Sequence, residues 1–125
     1  YYYTIDNPEN KKFVEAYKKK FKGVPPGYAG AAGYGLMKMT LLGMQKSGST
    51  EPQKVITALE EHKGKNFVGD FEIRGRNHQT VRPFFVLQTK KKNEMKNQYD
   101  MAEVVDVSST EQPKNINMCK DIGSF

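Results

Sequence analysis

At 125 residues the chain is long enough for one ordinary domain, but its apolar share of 37% is thin for that size, even with glycine counted in and tyrosine out. It fits either a small lysine-coated domain or a piece whose core is completed elsewhere. The net charge is +6, yet only Arg74, Arg76 and Arg82 among the twenty basic residues are arginine; lysine is a hydrated point charge suited to solvated surfaces, so the basic excess argues against nucleic-acid recognition.

Tyr1 to Ile5 is aromatic and β-prone, and reads as a short strand or the exit from one. Asn7 then stands as an N-cap with Pro8 at the first helical position, where its missing N–H costs nothing. Phe13, Val14, Tyr17 and Phe21 recur at three and four, which predicts an amphipathic helix lying on a surface and ending at Gly23. Val24-Pro25-Pro26-Gly27 forbids its continuation.

A second helix is expected from about Tyr28 to Ser47. Apolar residues surround it almost completely, so it is expected to be buried. Its glycines at 30, 33, 35 and 43 each cost about 1 kcal/mol relative to alanine, which close packing of a neighbouring element would offset. Their spacing is not that of a dinucleotide-binding loop. Thr50 and Gln53 form a capping-box pattern, with Pro52 in the first turn of a short third helix carrying Val55, Ile56 and Leu59 and closed by Gly64.

From Asn66 the period becomes extended: Phe67, Gly69, Phe71 and Ile73 alternate with Asp70 and Glu72 as far as Gly75. A polar turn at 76–79 leads to a Val81–Thr89 strand with Pro83 near its start or on an edge. A charged loop, Lys90–Asp100, and a further strand over 102–107 follow. After Ser108 the Pro/Asn/Ser-rich chain is expected to be a tail wrapping over another surface.

Chemistry has few footholds. His78 beside Arg76 and Arg82 suggests an anion site, set against the ordinary role of a structural turn histidine. Glu60, Glu61 and His62 occupy adjacent positions that cannot all face one point, and Ser108-Ser109-Thr110 lacks a nucleophile elbow. Cys119 makes no disulfide within the chain and, with no Cys or His nearby, no zinc site. It is either a buried small hydrophobe or a half-cystine with a distant partner. No catalytic set, metal site or cofactor is expected. No run reaches the roughly 18 apolar residues of a membrane helix. The chain starts at Tyr1 without a signal-like segment, so a cleaved address would belong to an absent N-terminal part.

Five motifs in order carry a resemblance: Asn-Pro-x-Asn-x-x-Phe-x-x-x-Tyr at 7–17, Pro-Pro-Gly-Tyr-Ala-x-x-x-Gly-Tyr at 25–34, Gly-Ser-Thr-Glu-Pro at 48–52, Val-x-x-Ala-Leu at 55–59 and Gly-x-Phe-x-Ile at 69–73. Together with the Asn-His-Gln, Arg-Pro-x-Phe-Val-Leu and Glu-Val-Val stretches, the chain resembles the C-terminal part of type I periplasmic solute-binding proteins. These are the ABC-transporter receptors for branched-chain amino acids, amides and aromatic acids.

The resemblance implies an α/β fragment of a two-lobed fold: three helices, then a hairpin and two further strands. Residues 1–75 would be the C-terminal piece of the first lobe, and residues 76–125 hinge-crossing strands and tail of the second. It further implies a non-enzymatic, periplasmic or otherwise extracytoplasmic receptor for a small amino acid, amide or aromatic carboxylate, with a permease and the missing N-terminal part of the same protein as partners. Cys119 would find its partner upstream. The ligand would meet the start of the buried helix at Tyr28, Ala29 and Gly30, where alanine is a departure from the bulky residue that the family places there. The alternative is a free-standing basic α/β module that binds nucleic acid or an acidic partner.

Overall fold

A computed structural model describes residues 1–75 and 77–108. Helix α1 spans Pro8–Lys20. Asn7 is its extended N-cap, and the carboxamide oxygen accepts from the N–H groups of Glu9 at 2.8 Å and Asn10 at 3.3 Å. Glu9 in the first turn and Lys18, Lys19 and Lys20 in the last complement the helix dipole. Lys22 and Gly23 then turn the chain through the left-handed region.

Helix α2, Tyr28–Ser47, takes the expected range and ends on a left-handed Gly48. Its expected burial does not hold within this chain: only Ala31 and Gly43 of its twenty residues are buried. Tyr28, Leu36, Met37 and Leu41 are 71%, 70%, 61% and 55% exposed. The helix packs along one face alone. Gly43 lies against helix α3, Pro52–Leu59, so closely that a Cβ there would sit 2.7 Å from Val55 Cγ1. Gly35 similarly makes room for the Phe67 ring, whereas Gly33 faces open space.

The capping box at Thr50 does not form. Glu51 is the N-cap of α3 and makes no side-chain capping bond, while Ser49 Oγ accepts from the Glu51 N–H at 3.0 Å. The helix stops at Leu59 rather than at Gly64, because Glu61 enters the left-handed region and turns the chain into strand β1, Lys63–Asn66.

Strand β1 pairs antiparallel with β2, Gly69–Ile73, around the Phe67-Val68 turn. It begins ahead of the expected extended run, since Lys63-Gly64-Lys65-Asn66 has no apolar alternation to announce it. The expected Val81–Thr89 strand is two strands. β3, Thr80–Val81, joins β2, and beyond Pro83 β4, Phe84–Thr89, pairs with β5, Ala102–Ser108. A bulge at Val86/Leu87 shifts the β4–β5 register. Among the described residues the fold is therefore an α/β fragment with three α-helices, a short 3-10 turn at Lys92–Glu94, a three-stranded antiparallel sheet and a separate two-stranded ribbon.

The core joins α1, α2 and the hairpin turn through Phe13, Val14, Ala31, Phe67 and Val68. Phe13 stacks on Tyr34 with ring centroids 4.3 Å apart and meets Phe67 at 5.2 Å. Tyr1–Ile5 is not itself a strand, so of the two expectations only the exit from one remains. Its carbonyls are held instead by fully buried Asn10 on α1, whose Nδ2 donates to Tyr3 O at 3.0 Å and Ile5 O at 2.9 Å. The expected tail and Cys119 lie outside the described residues.

Candidate functional site

The start of α2 is open. Gly27 is its N-cap and has no side chain to cap with, and the first helical bond runs from the Ala31 N–H to the Gly27 carbonyl. The N–H groups of Tyr28, Ala29 and Gly30 precede that bond and have no acceptor in the helix. The three residues have different surroundings. Gly30 packs beneath Tyr17, whose hydroxyl would lie 3.0 Å from a Cβ at that position. Ala29 is exposed. Tyr28 forms part of the wall of a hollow of about 220 Å³.

Three chain segments build that hollow. Tyr1, Tyr2 and Tyr3 form one side, the Pro25-Pro26-Gly27 turn leads into Tyr28, and Tyr99 with Met101 closes the third side. No charged or carboxamide side chain lines it. Its tyrosine hydroxyls are partly committed: Tyr1 donates to Asn10 Oδ1 at 2.8 Å, and Tyr2 donates to the Tyr99 carbonyl at 2.7 Å while accepting from the Ala102 N–H at 3.1 Å. Burial pushes the Tyr1 hydroxyl pKa upward, so it stays protonated as a donor. The sequence reading singled out Tyr28 but not Tyr2, Tyr99 or Met101, which are far apart along the chain. The aromatic density of Tyr1–Tyr3 was the one available signal.

Asp100 fixes the third side. It is buried, its Oδ1 accepts from Lys90 Nζ at 2.7 Å, and its Oδ2 accepts from the Lys96 N–H at 3.0 Å. The Lys90 hydrogen bond, with the Lys96 N–H second, holds its carboxyl below the usual carboxylate range. A depressed carboxyl stabilises the fold above its unfolded pKa of about 3.9, and that contribution is lost as pH falls through the lower folded value. Amide protection over residues 90–101, with the intrinsic pH dependence of exchange divided out, is therefore expected to fall below about pH 4. Asp100→Asn should remove that acid step, and protection factors unchanged from about pH 6 to about pH 3 in the parent protein would contradict the assignment.

The other polar candidates are bound into the framework. Glu60, Glu61 and His62 face three different partners: His78 Nε2 at 2.8 Å, the Gly75 N–H at 2.9 Å and Lys46 Nζ at 2.9 Å. His78 adopts a left-handed backbone with φ 53° and is tied to α3's end through Glu60. Arg76 lies outside the described residues, and Arg82 sits over the Phe84 ring at 5.3 Å. Among the described residues no cluster of three His, Cys, Asp or Glu side chains is placed to hold a metal, and no helix is long and apolar enough to cross a membrane.

Five of the surface lysines are paired with carboxylates. Lys11, Lys38, Lys54, Lys63 and Lys65 pair with Asp6, Glu9, Glu51, Glu72 and Asp70 respectively. Such exposed pairs contribute little to stability.

Comparisons with known proteins agree over most of the chain. The family model described as periplasmic binding protein matches residues 1–94. An amino acid ABC transporter substrate-binding protein from Pseudomonas fluorescens is 26% identical and superposes with a TM-score of 0.82 over 90% of this chain and 30% of that one. An ABC-type branched-chain amino acid transporter protein from Rhodopseudomonas palustris is 26% identical, with a TM-score of 0.71 over 87% and 29%. Another Rhodopseudomonas palustris solute-binding protein, solved with 3,4-dihydroxybenzoic acid, shares the fold at 22% identity with a TM-score of 0.73, again over 87% and 29%. Among curated proteins none matches. The chain thus spans about 30% of the length of the structures it resembles.

Proposed function

Because the chain belongs to the periplasmic binding protein family, we propose that it is the C-terminal part of an extracytoplasmic solute-binding receptor that delivers a small amino acid, amide or aromatic carboxylate to an ABC permease. The structural relatives named above are substrate-binding or transporter proteins rather than enzymes. In this reading Tyr28, Ala29 and Gly30 open a helix whose free N–H groups would receive the solute's carboxylate from the cleft side. Residues 1–75 would belong to one lobe, and the β4–β5 ribbon would lead toward the other.

The observation that carries the reading is the family match over residues 1–94. The physics of α2 supports it. Only Lys38 and Lys46 among its twenty residues are charged, and the face turned away from α1, α3 and the hairpin is apolar and exposed. An apolar face of this kind marks a surface that another element covers. The missing part of the same receptor would supply a sheet for it.

Ligand binding then needs both parts. Titration calorimetry of the isolated 125-residue chain, first shown to be folded and monomeric, is expected to give no micromolar binding of leucine or 4-hydroxybenzoate. The full-length receptor should bind one of the two. Micromolar binding by the isolated chain would sink the shared-cleft reading.

A further inference from the structure

We propose that the solute of this receptor carries an aromatic ring, seated against the tyrosine wall beside the start of α2. The inference rests on the receptor reading and narrows it. Tyr1, Tyr2, Tyr3, Tyr28 and Tyr99 meet around one hollow of about 220 Å³. An apolar cavity of about 150 Å³ is known to take benzene, so the space suits one substituted ring. With the hydroxyls of Tyr1 and Tyr2 engaged by Asn10, the Tyr99 carbonyl and the Ala102 N–H, what those residues offer an occupant is ring surface. Tyr28 is 71% exposed and its side chain makes no hydrogen bond among the described residues, leaving both its ring and its hydroxyl for a partner.

Ring faces and edges favour another ring through offset and edge-to-face contact, a term that an aliphatic side chain does not share. An aromatic wall can also hold a quaternary ammonium. Two features oppose that occupant: Lys18 Nζ already lies 5.5 Å over the Tyr3 ring, and the chain carries a net charge of +6. An α-ammonium would meet no counter-charge in this wall and would lose hydration against it.

The test is titration calorimetry of the full-length receptor with 4-hydroxybenzoate, leucine and glycine betaine. 4-Hydroxybenzoate is expected to bind at least about tenfold more tightly than either competitor. Tyr28→Phe should stay within about threefold of the parent, and Tyr28→Ala should weaken 4-hydroxybenzoate by about tenfold. Because Tyr28 is exposed, both variants should keep the parent melting temperature. Leucine or betaine binding as tightly as 4-hydroxybenzoate overturns the ring proposal and leaves the receptor reading standing. Equal affinities for Tyr28→Ala and the parent also overturn it. A folded receptor that binds none of the three probes overturns the ring proposal, and one that also fails to bind an amide such as acetamide overturns the receptor reading.

Discussion

Asn10→Leu is expected to cost about 3–5 kcal/mol of folding free energy, through three lost hydrogen bonds and the buried groups left without partners. Asn10 has 0% exposure in the first turns of α1, and its carboxamide uses both ends. Nδ2 donates to the carbonyls of Tyr3 and Ile5, and Oδ1 accepts from the Tyr1 hydroxyl. Leucine keeps the volume but supplies none of these bonds. Part-burial of two of them lets water recover some of the loss, which keeps the total below the sum of three full penalties. Asn10→Asp should be comparably damaging, because a carboxylate would face two carbonyl oxygens. Urea unfolding of the full-length protein measures the effect; a midpoint shift worth less than about 1 kcal/mol would show that the Tyr1–Ile5 segment is held by something else.

The role of Asn10 explains why the first five residues form no strand of their own. Tyr-Tyr-Tyr-Thr-Ile has strand propensity, but propensity there is outcompeted by a helix side chain that takes the carbonyls a sheet neighbour would have taken. The clue was positional. Asn10 lies three and four residues before Phe13 and Val14, on the buried face of α1 rather than on its lysine-covered one. The helices themselves were legible, because Asn7-Pro8, Pro25-Pro26-Gly27 and Gly48 act through local backbone chemistry that needs no tertiary partner. Strand β1 was not, since backbone pairing with β2 defines it and Gly64 is there to admit the Phe71 ring, 3.1 Å from where a Cβ would be.

The candidate site divides in the same way. Tyr28 is singled out by the family resemblance of the Pro-Pro-Gly-Tyr-Ala motif, not by any local chemistry. Tyr99 and Met101 reach the hollow only because Asp100 folds the charged 90–100 loop back on Lys90 and Lys96, and because the Tyr2 hydroxyl bridges ninety-seven residues to the Tyr99 carbonyl. No local period encodes such contacts. The burial of α2 was inferred from apolar residues on every side, and that pattern describes a helix with neighbours on both faces. This chain supplies the neighbours for one face only.

Met37→Lys is expected to leave the isolated chain almost as stable as the parent and to destabilise the full-length receptor. Met37 is 61% exposed and lies on the side of α2 away from α1, α3 and the hairpin. In the isolated chain a lysine there meets water, so folding free energy should change by no more than about 0.5 kcal/mol, while self-association and dye binding to the apolar face should fall. In the full-length receptor the same lysine would be pressed against a covering sheet without a counter-charge. That costs several kcal/mol, a large fraction of the roughly 5–15 kcal/mol that holds a domain together. Thermal unfolding of both forms, with light scattering for the isolated chain, separates the cases. If Met37→Lys leaves the full-length receptor as stable as the parent, the outward face of α2 stays open in the whole protein, and its apolar surface then belongs to a separate partner rather than to the remainder of the fold.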